Sequence, residues 1–200
     1  MTAPTARDVA ELLAEIAALR FGRFRLKDGR ESPYYVDLRG IVGFPRALRK
    51  VGEWLAAAAA PIAYDHIAGV PYAGIPLGVS MSLAAEKSLV YARKEAKSYG
   101  TERTVEGRFQ AGERALVVDD VLTSGGAKFE ALAPLRQAGL VVTDVLVVVD
   151  REEQGRVALQ QVGVTSHHLI TISELLREFL EMGLVTAADY ESARRFLMKS

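Results

Sequence analysis

Two adjacent carboxylates, Asp119 and Asp120, follow a run of apolar residues in the stretch ALVVDDVLTSGGAK, and Thr123, Ser124, Gly125 and Gly126 come directly after them. A parallel strand delivers its C-terminal end to the crevice where open α/β sheets bind ligands. A hydroxyl and glycine turn opening a helix directs backbone N–H groups at an anion, and glycine lets the backbone approach closely. Carboxylates accepting from vicinal hydroxyls, next to a phosphate held by such a turn, describe a ribose 5-phosphate. A nucleoside-triphosphate loop would carry lysine after a second glycine, and a dinucleotide site would need G-x-G-x-x-G at a strand end; neither occurs. The plainer alternative is a solvated acidic turn capping a helix.

Three other stretches carry chemistry. In YARKEAKSYGTER the cations Arg93, Lys94, Lys97 and Arg103 are offset only by Glu95 and Glu102, a concentration of positive charge suited to diphosphate. Gly100, Gly107 and Gly112 flank polar residues with little to bury, as expected of a lid, the alternative being a solvated charged loop. In RLKDGRESPYYVDLR the turn Asp28-Gly29 separates Lys27 from Tyr34 and Tyr35, so a cation and two aromatics converge on a planar acid. Neighbours on a strand face opposite ways, so one of the two tyrosines belongs to the core. Arg151, just past VLVVVD, offers a guanidinium fork to a carboxylate or ring carbonyl, or forms a surface ion pair with Glu152 or Glu153. The turn AGVPYAGIPLG has small residues that again admit a phosphate. His66, His167 and His168 lack ligand spacing and read as packing or surface residues, so no protein metal site is expected.

The elements that must position these residues follow from periodicity. ARDVAELLAEIAAL has apolar residues at Val9, Leu12, Leu13, Ile16 and Leu19, the spacing of an amphipathic helix, and FPRALRKVGEWLAAAAAP gives a second helix stopped at Pro61. Short apolar runs at 66–70, 88–92, 114–120 and 141–150 then alternate with helical stretches, which predicts a parallel sheet with helices on its faces. Pro134 lies inside GAKFEALAPLRQAG and predicts a kink or a late start for that helix. Two C-terminal helices are expected, the second capped by Thr186. With 25 basic and 25 acidic residues there is no global field to gather nucleic acid or an anionic membrane. Cysteine is absent, and the N-terminal segment reads as neither a signal peptide nor a membrane span, so a cytoplasmic protein without nucleic-acid or membrane partners is expected.

VVDDVLTSGGA resembles the phosphoribosyl-diphosphate (PRPP) motif of the type I phosphoribosyltransferases. FGRFRLKDGRESPYYVDLR, RKEAKSYGTERTVEG and VVVDREEQG are similar to the orotate-side segment, catalytic loop and orotate-arginine strand end of the orotate phosphoribosyltransferases. GVPYAG with KSYGTERTVEG is closest to the orotate domain of bifunctional uridine monophosphate synthases, although no decarboxylase domain is expected here. The resemblance implies an α/β type I phosphoribosyltransferase fold: a central, mostly parallel sheet flanked by helices, forming a single domain. Its parts are a small N-terminal helix and hood over about 1–45, a core over about 46–175, and C-terminal helices over about 172–200.

It also implies transfer of the phosphoribosyl group of PRPP to N1 of orotate, giving orotidine 5'-monophosphate and diphosphate in pyrimidine biosynthesis. Mg²⁺ would be bound mainly through substrate and water, and a homodimer would share its active sites. Arg93, Lys94 and Lys97 fall to diphosphate and transition-state contacts, with Lys97 the foremost catalytic residue. Lys27, Tyr72, Ala73 and Tyr99, together with Asp119, Asp120, Val121, Leu122, Thr123, Ser124, Gly125, Gly126 and Ala127, complete the PRPP site. Lys27, Tyr34, Tyr35, Thr123 and Arg151 fall to orotate. Ala73 stands where many bacterial members carry lysine, and Tyr99 where they carry histidine. A phosphoribosyltransferase for another base and a PRPP-sensing regulator are the rival readings.

Overall fold

The structure is a computed structural model that describes residues 2–26, 29–93, 104–123 and 126–198, with the backbone alone over 126–129. Helix α1 (Ala6–Glu15) leads to a hairpin of β1 (Leu19–Arg25) and β2 (Glu31–Val36), then to a short 3₁₀ turn (Arg39–Gly43) and α2 (Pro45–Ala58). The core alternates: β3 (His66–Gly69), α3 (Gly74–Ala85), β4 (Ser88–Ala92), β5 (Val105–Glu106), β6 (Arg114–Leu122), α4 (Gly126–Gln137), β7 (Val141–Asp150), α5 (Gly155–Gln161) and β8 (Thr165–Thr171). Helices α6 (Ile172–Glu181) and α7 (Ala187–Leu197) close the chain.

Six strands form one sheet in the order β5-β4-β3-β6-β7-β8, all parallel except the edge strand β5, as the apolar runs predict. Its strands are apolar on both faces because helices cover both. Ile67, Leu116, Val118, Leu146 and Val148 point into a core shared with α1, α2, α3 and α6. Their neighbours Ala68, Val117, Val145 and Val147 point the other way, onto Leu132 and Leu135 of α4 and Leu159 of α5. This period-two division fixes the register of each central strand, since a slip by one residue would exchange the faces.

Several elements depart from the periodicity. Leu19 opens β1 rather than closing the first helix, because the chain leaves the helix after Glu15 and Ala17 takes a left-handed conformation at φ 50°. α4 begins at Gly126 and carries Pro134 within it, so the proline does not delay the helix. β1, β5, α5 and β8 have no counterpart in the periodicity. The Thr186 cap is present, its side chain accepting from the Asp189 N–H. Thr5 and Thr171 cap α1 and α6 with reciprocal capping boxes.

Helix α2 packs closely on α3 because Gly52 leaves no side chain between them. A Cβ there would fall 2.6 Å from the Ser80 carbonyl carbon and 2.7 Å from its Cβ, while the Ser80 hydroxyl donates to the Leu48 carbonyl at 2.8 Å. Alanine gains roughly 1 kcal/mol of helix propensity over glycine. Backbone overlap outweighs that gain, so Gly52→Ala should lower the unfolding free energy by about 1–3 kcal/mol in urea titration. A stabilised Gly52→Ala would show that the two helices separate freely.

Candidate active site

The sheet order sets the place of a site before any side chain does. From β3 the chain crosses to β4 on one side, and β6, the strand that follows after β5, lies on the other. The turns after β3 and β6 therefore diverge, leaving a crevice at the strand ends. On one wall the Val70 N–H donates to the Val118 carbonyl at 3.0 Å, and a cis Pro71–Tyr72 peptide leads to exposed Tyr72, half-buried Ala73 and α3. On the other wall stands Asp119, 5% exposed, followed by half-buried Asp120, Val121 and Thr123 around buried Leu122. Asp119 Oδ1 accepts the Asp120 N–H at 2.9 Å, and Asp120 Oδ1 accepts the Val121 N–H at 2.8 Å, which orients both carboxylates.

Gly74 joins the two walls. A Cβ there would overlap the Val118 carbonyl oxygen and lie 3.1 Å from Asp119 Oδ1. Unlike α1, α6 and α7, α3 starts with no side-chain cap from Ala73, so its first N–H groups face the crevice without that partner.

The hairpin of β1 and β2 divides Tyr34 from Tyr35. Tyr34 is fully buried, its ring edge-on to Phe196 of α7 at 5.9 Å, and burial pushes its hydroxyl pKa up. Tyr35, half-buried, stacks on Phe24 at 5.5 Å and accepts from Arg39 at 3.4 Å. Arg39 is held by Asp37 through two contacts of 2.8 Å, and this pairing draws the Asp37 carboxyl below the usual range. Core membership thus falls to Tyr34.

Arg151 follows β7, next to the end of β6: its N–H donates to the Leu122 carbonyl at 3.0 Å. It is no surface ion pair, being 6% exposed, with its guanidinium carbon 5.2 Å from the centre of the Tyr34 ring. It does pair with Glu153, at 3.1 Å. Asp150, 1% exposed, braces this loop by accepting from Arg156 at 2.6 Å and from the Glu152 N–H at 2.8 Å. Gly155 fits beneath the Thr123 carbonyl, where a Cβ would overlap the oxygen.

Asp119, Asp120, Val121, Leu122, Thr123, Tyr72, Ala73, Tyr35 and Arg151 therefore gather at one end of the sheet, and the Gly126 and Ala127 backbone opens α4 beside them. Arg93 directly follows β4 at the same end, paired with Glu106 at 3.3 Å. Lys27, Lys94, Lys97, Tyr99, Ser124 and Gly125 lie outside the described residues. His66 bonds Ser88 and Glu113, His167 bonds Asp144, and His168 lies 3.8 Å from Asp150. Among the described residues no three His, Cys, Asp or Glu side chains converge on a metal position. Sequence reasoning gave no role to Arg30 or Arg39; the only signal was their place in the hairpin stretch, flanking the tyrosines.

Residues 44–166 match the phosphoribosyl transferase domain. The chain is 38% identical over 190 residues to uridine 5'-monophosphate synthase of Bos taurus, covering 94% of this chain and 40% of that protein. It is 34% identical over 170 residues to orotate phosphoribosyltransferase of Pyrococcus furiosus, covering 84% of this chain and 93% of the relative. The solved structure of Leishmania donovani UMP synthase superposes with a TM-score of 0.92 at 31% identity, over 98% of this chain and 43% of that one. The chain thus spans about two fifths of the length of the two synthases. It belongs to the phosphoribosyltransferase family, within its orotate phosphoribosyltransferase branch.

Gly74→Ala should drive the Val118 carbonyl and Asp119 out of place. PRPP binding measured by calorimetry should weaken about tenfold or more, as expected when charged hydrogen bonds are lost, while circular dichroism remains that of a folded chain. Undiminished PRPP affinity in the folded variant would remove this crevice from the PRPP site.

Proposed function

We propose that the chain transfers the phosphoribosyl group of PRPP to N1 of orotate, releasing diphosphate and orotidine 5'-monophosphate for pyrimidine biosynthesis. The observation that carries this reading is the pair of oriented carboxylates, Asp119 and Asp120, at the diverging ends of β3 and β6. The names of relatives that cover most of the chain support the choice of base.

In this reading the Thr123–Ala127 turn holds the 5-phosphate by its backbone N–H groups. Val121 and Leu122 line the same wall, and the two carboxylates accept the ribose hydroxyls. As diphosphate departs, C1 gains oxocarbenium character, which the negative Asp119 and Asp120 favour electrostatically. The Tyr72–Ala73 turn and the start of α3 lie where diphosphate oxygens would sit. Arg93, Lys94, Lys97 and Tyr99 would bring donors to the charge developing on them, with Lys97 foremost. Carboxylate oxygens are the hard donors that Mg²⁺ prefers, and because the ion dehydrates reluctantly it would be carried mainly on PRPP oxygens and water. When bound, Mg²⁺ would neutralise the leaving diphosphate. Lys27, Tyr35, Thr123 and Arg151 would set the pyrimidine, with Tyr34 supporting Arg151 from the core.

Initial rates with orotate, uracil, adenine, guanine and hypoxanthine in the presence of PRPP and Mg²⁺ test this directly. Orotate alone should give a nucleotide product at an appreciable rate; preferential turnover of another base would reassign the substrate, and no turnover of any would favour a PRPP-sensing role.

We further propose a homodimer with shared sites in the cytoplasm. Helix α3 starts at the crevice and continues along a groove of about 930 Å³ against α2, where Val79 is 43% and Leu83 79% exposed. That apolar strip begins at Ile75, the residue after Gly74, which suits a second copy packed against it whose charged loop would reach the crevice. No helix among the described residues is long and apolar enough to cross a membrane. The absence of cysteine suits a reducing compartment. Lys97→Ala and Asp120→Asn homodimers should each be nearly inactive, and mixing them should restore about a quarter of the wild-type rate by two-fold counting. No recovery, with subunit exchange verified by mass spectrometry, would contradict shared sites.

A further inference from the structure

The loop after β7 holds a buried charge that the proposed reaction leaves unused. The Glu153 side chain is only 6% exposed, and its two oxygens are divided between two guanidinium groups. Oε1 lies 3.1 Å from Nη2 of Arg151, and Oε2 accepts from Nη2 of Arg30 at 3.2 Å. The ion pair with Arg151 is poorly made: Glu153 Oε1 and Arg151 Nε both lack a hydrogen-bond partner although both are buried. The remaining contact of Arg151 Nη2, with the Tyr34 hydroxyl, is long at 3.5 Å. Arg30 differs, with 41% of its side chain exposed and its guanidinium lying over the Phe196 ring at 5.7 Å.

A buried guanidinium stripped of its counter-charge is strongly destabilising, so Glu153 is what allows Arg151 to stay over the Tyr34 ring when no ligand is present. Its grip nevertheless leaves the most directional part of the arginine, the Nε edge, unused. A planar carboxylate has two coplanar oxygens that match the guanidinium fork and could satisfy what Glu153 leaves open. Two carboxylates cannot share one buried arginine without repulsion, so one must move, and Glu153 already has a second cation on its other oxygen.

We propose that Glu153 is a positioning residue that serves as a surrogate carboxylate: it holds Arg151 in the empty site and yields it to the carboxylate of orotate by shifting onto Arg30. The inference rests on the reading of Arg151 as the orotate-binding arginine. An uncharged pyrimidine has no means of displacing Glu153, so the exchange favours an acid over uracil. The same competition loosens the carboxylate of the product and eases its release.

Steady-state kinetics of the full chain with Glu153→Gln, Arg30→Gln and the double variant test the exchange. Glu153→Gln removes the competitor, so the KM for orotate and the inhibition constant of orotidine 5'-monophosphate should both fall roughly tenfold while the KM for PRPP stays unchanged. Arg30→Gln removes the receiving cation and should raise the orotate KM alone. In the double variant this rise should vanish, because no carboxylate is left to transfer. A Glu153→Gln enzyme with orotate and PRPP affinities lowered together, or additive effects in the double variant, would reduce Glu153 to a structural brace and overturn the proposal. Should Glu153→Gln fail to fold, Arg30→Gln decides, an unchanged orotate KM counting against the exchange. Arg151→Ala separates the two claims. Loss of orotate affinity there, with no gain in Glu153→Gln, overturns the surrogate role alone; an unchanged orotate KM in Arg151→Ala overturns the assignment of Arg151 and the surrogate role with it.

Discussion

Between β3 and β6 the sheet permits only a residue without a side chain. The two strands run side by side, Val70 bonds back to the Val118 carbonyl, and α3 must begin in the angle between them. Gly74 fills that angle against Val118 and Asp119. Because the helix starts so close to the neighbouring strand, the two diverging turns face each other across a narrow crevice. The Asp119 and Asp120 carboxylates, each held by the next backbone N–H, stand on its far wall. Strand register, helix position and carboxylate orientation thus meet at one close approach, which a methyl group would prise apart.

The hairpin side is built differently. The β1–β2 hairpin belongs to no part of the main sheet and is joined to it through side chains: Tyr34 sits against Phe196 and under Arg151, while Arg30 reaches Glu153. In the proposed reading the sheet end would hold the sugar, and a hairpin fastened by aromatic and charged contacts would receive the base. Interactions of that kind can exchange partners at small cost, whereas a backbone packed on a glycine cannot. The division suits a site that must fix ribose and admit a planar acid.

Much of this was legible in the chain. The apolar runs at 66–70, 88–92, 114–120 and 141–150 mark β3, β4, β6 and β7 because buried parallel strands carry apolar residues on both faces. The placing of Asp119 and Asp120 at the end of β6, with α4 opening at Gly126, was readable because an apolar run, two carboxylates and a glycine turn form a local pattern with a local cause. What escaped depends on distant partners. β8 reads TSHHLIT, polar for a strand, and is held by its ladder with β7 and by contacts such as His167 with Asp144. The end of α1 was misjudged since no glycine announces it, only Ala17 in a left-handed conformation. Arg151 could be read as a ligand fork or as a surface ion pair with Glu152 or Glu153, and the structure keeps the Glu153 partner but buries the pair. Tyr34, the partner of Arg151, and Arg30, the partner of Glu153, lie more than a hundred residues away in sequence, as the bonds spanning 117 and 123 positions show.

The most direct test is a crystal structure of the chain with orotidine 5'-monophosphate. The account predicts phosphate on the backbone of residues 123–127, ribose hydroxyls on Asp119 and Asp120, and the pyrimidine carboxylate on Arg151 with Glu153 turned to Arg30. A nucleotide seated elsewhere, or one at the strand ends with its sugar away from the Asp119–Asp120 pair, would contradict it.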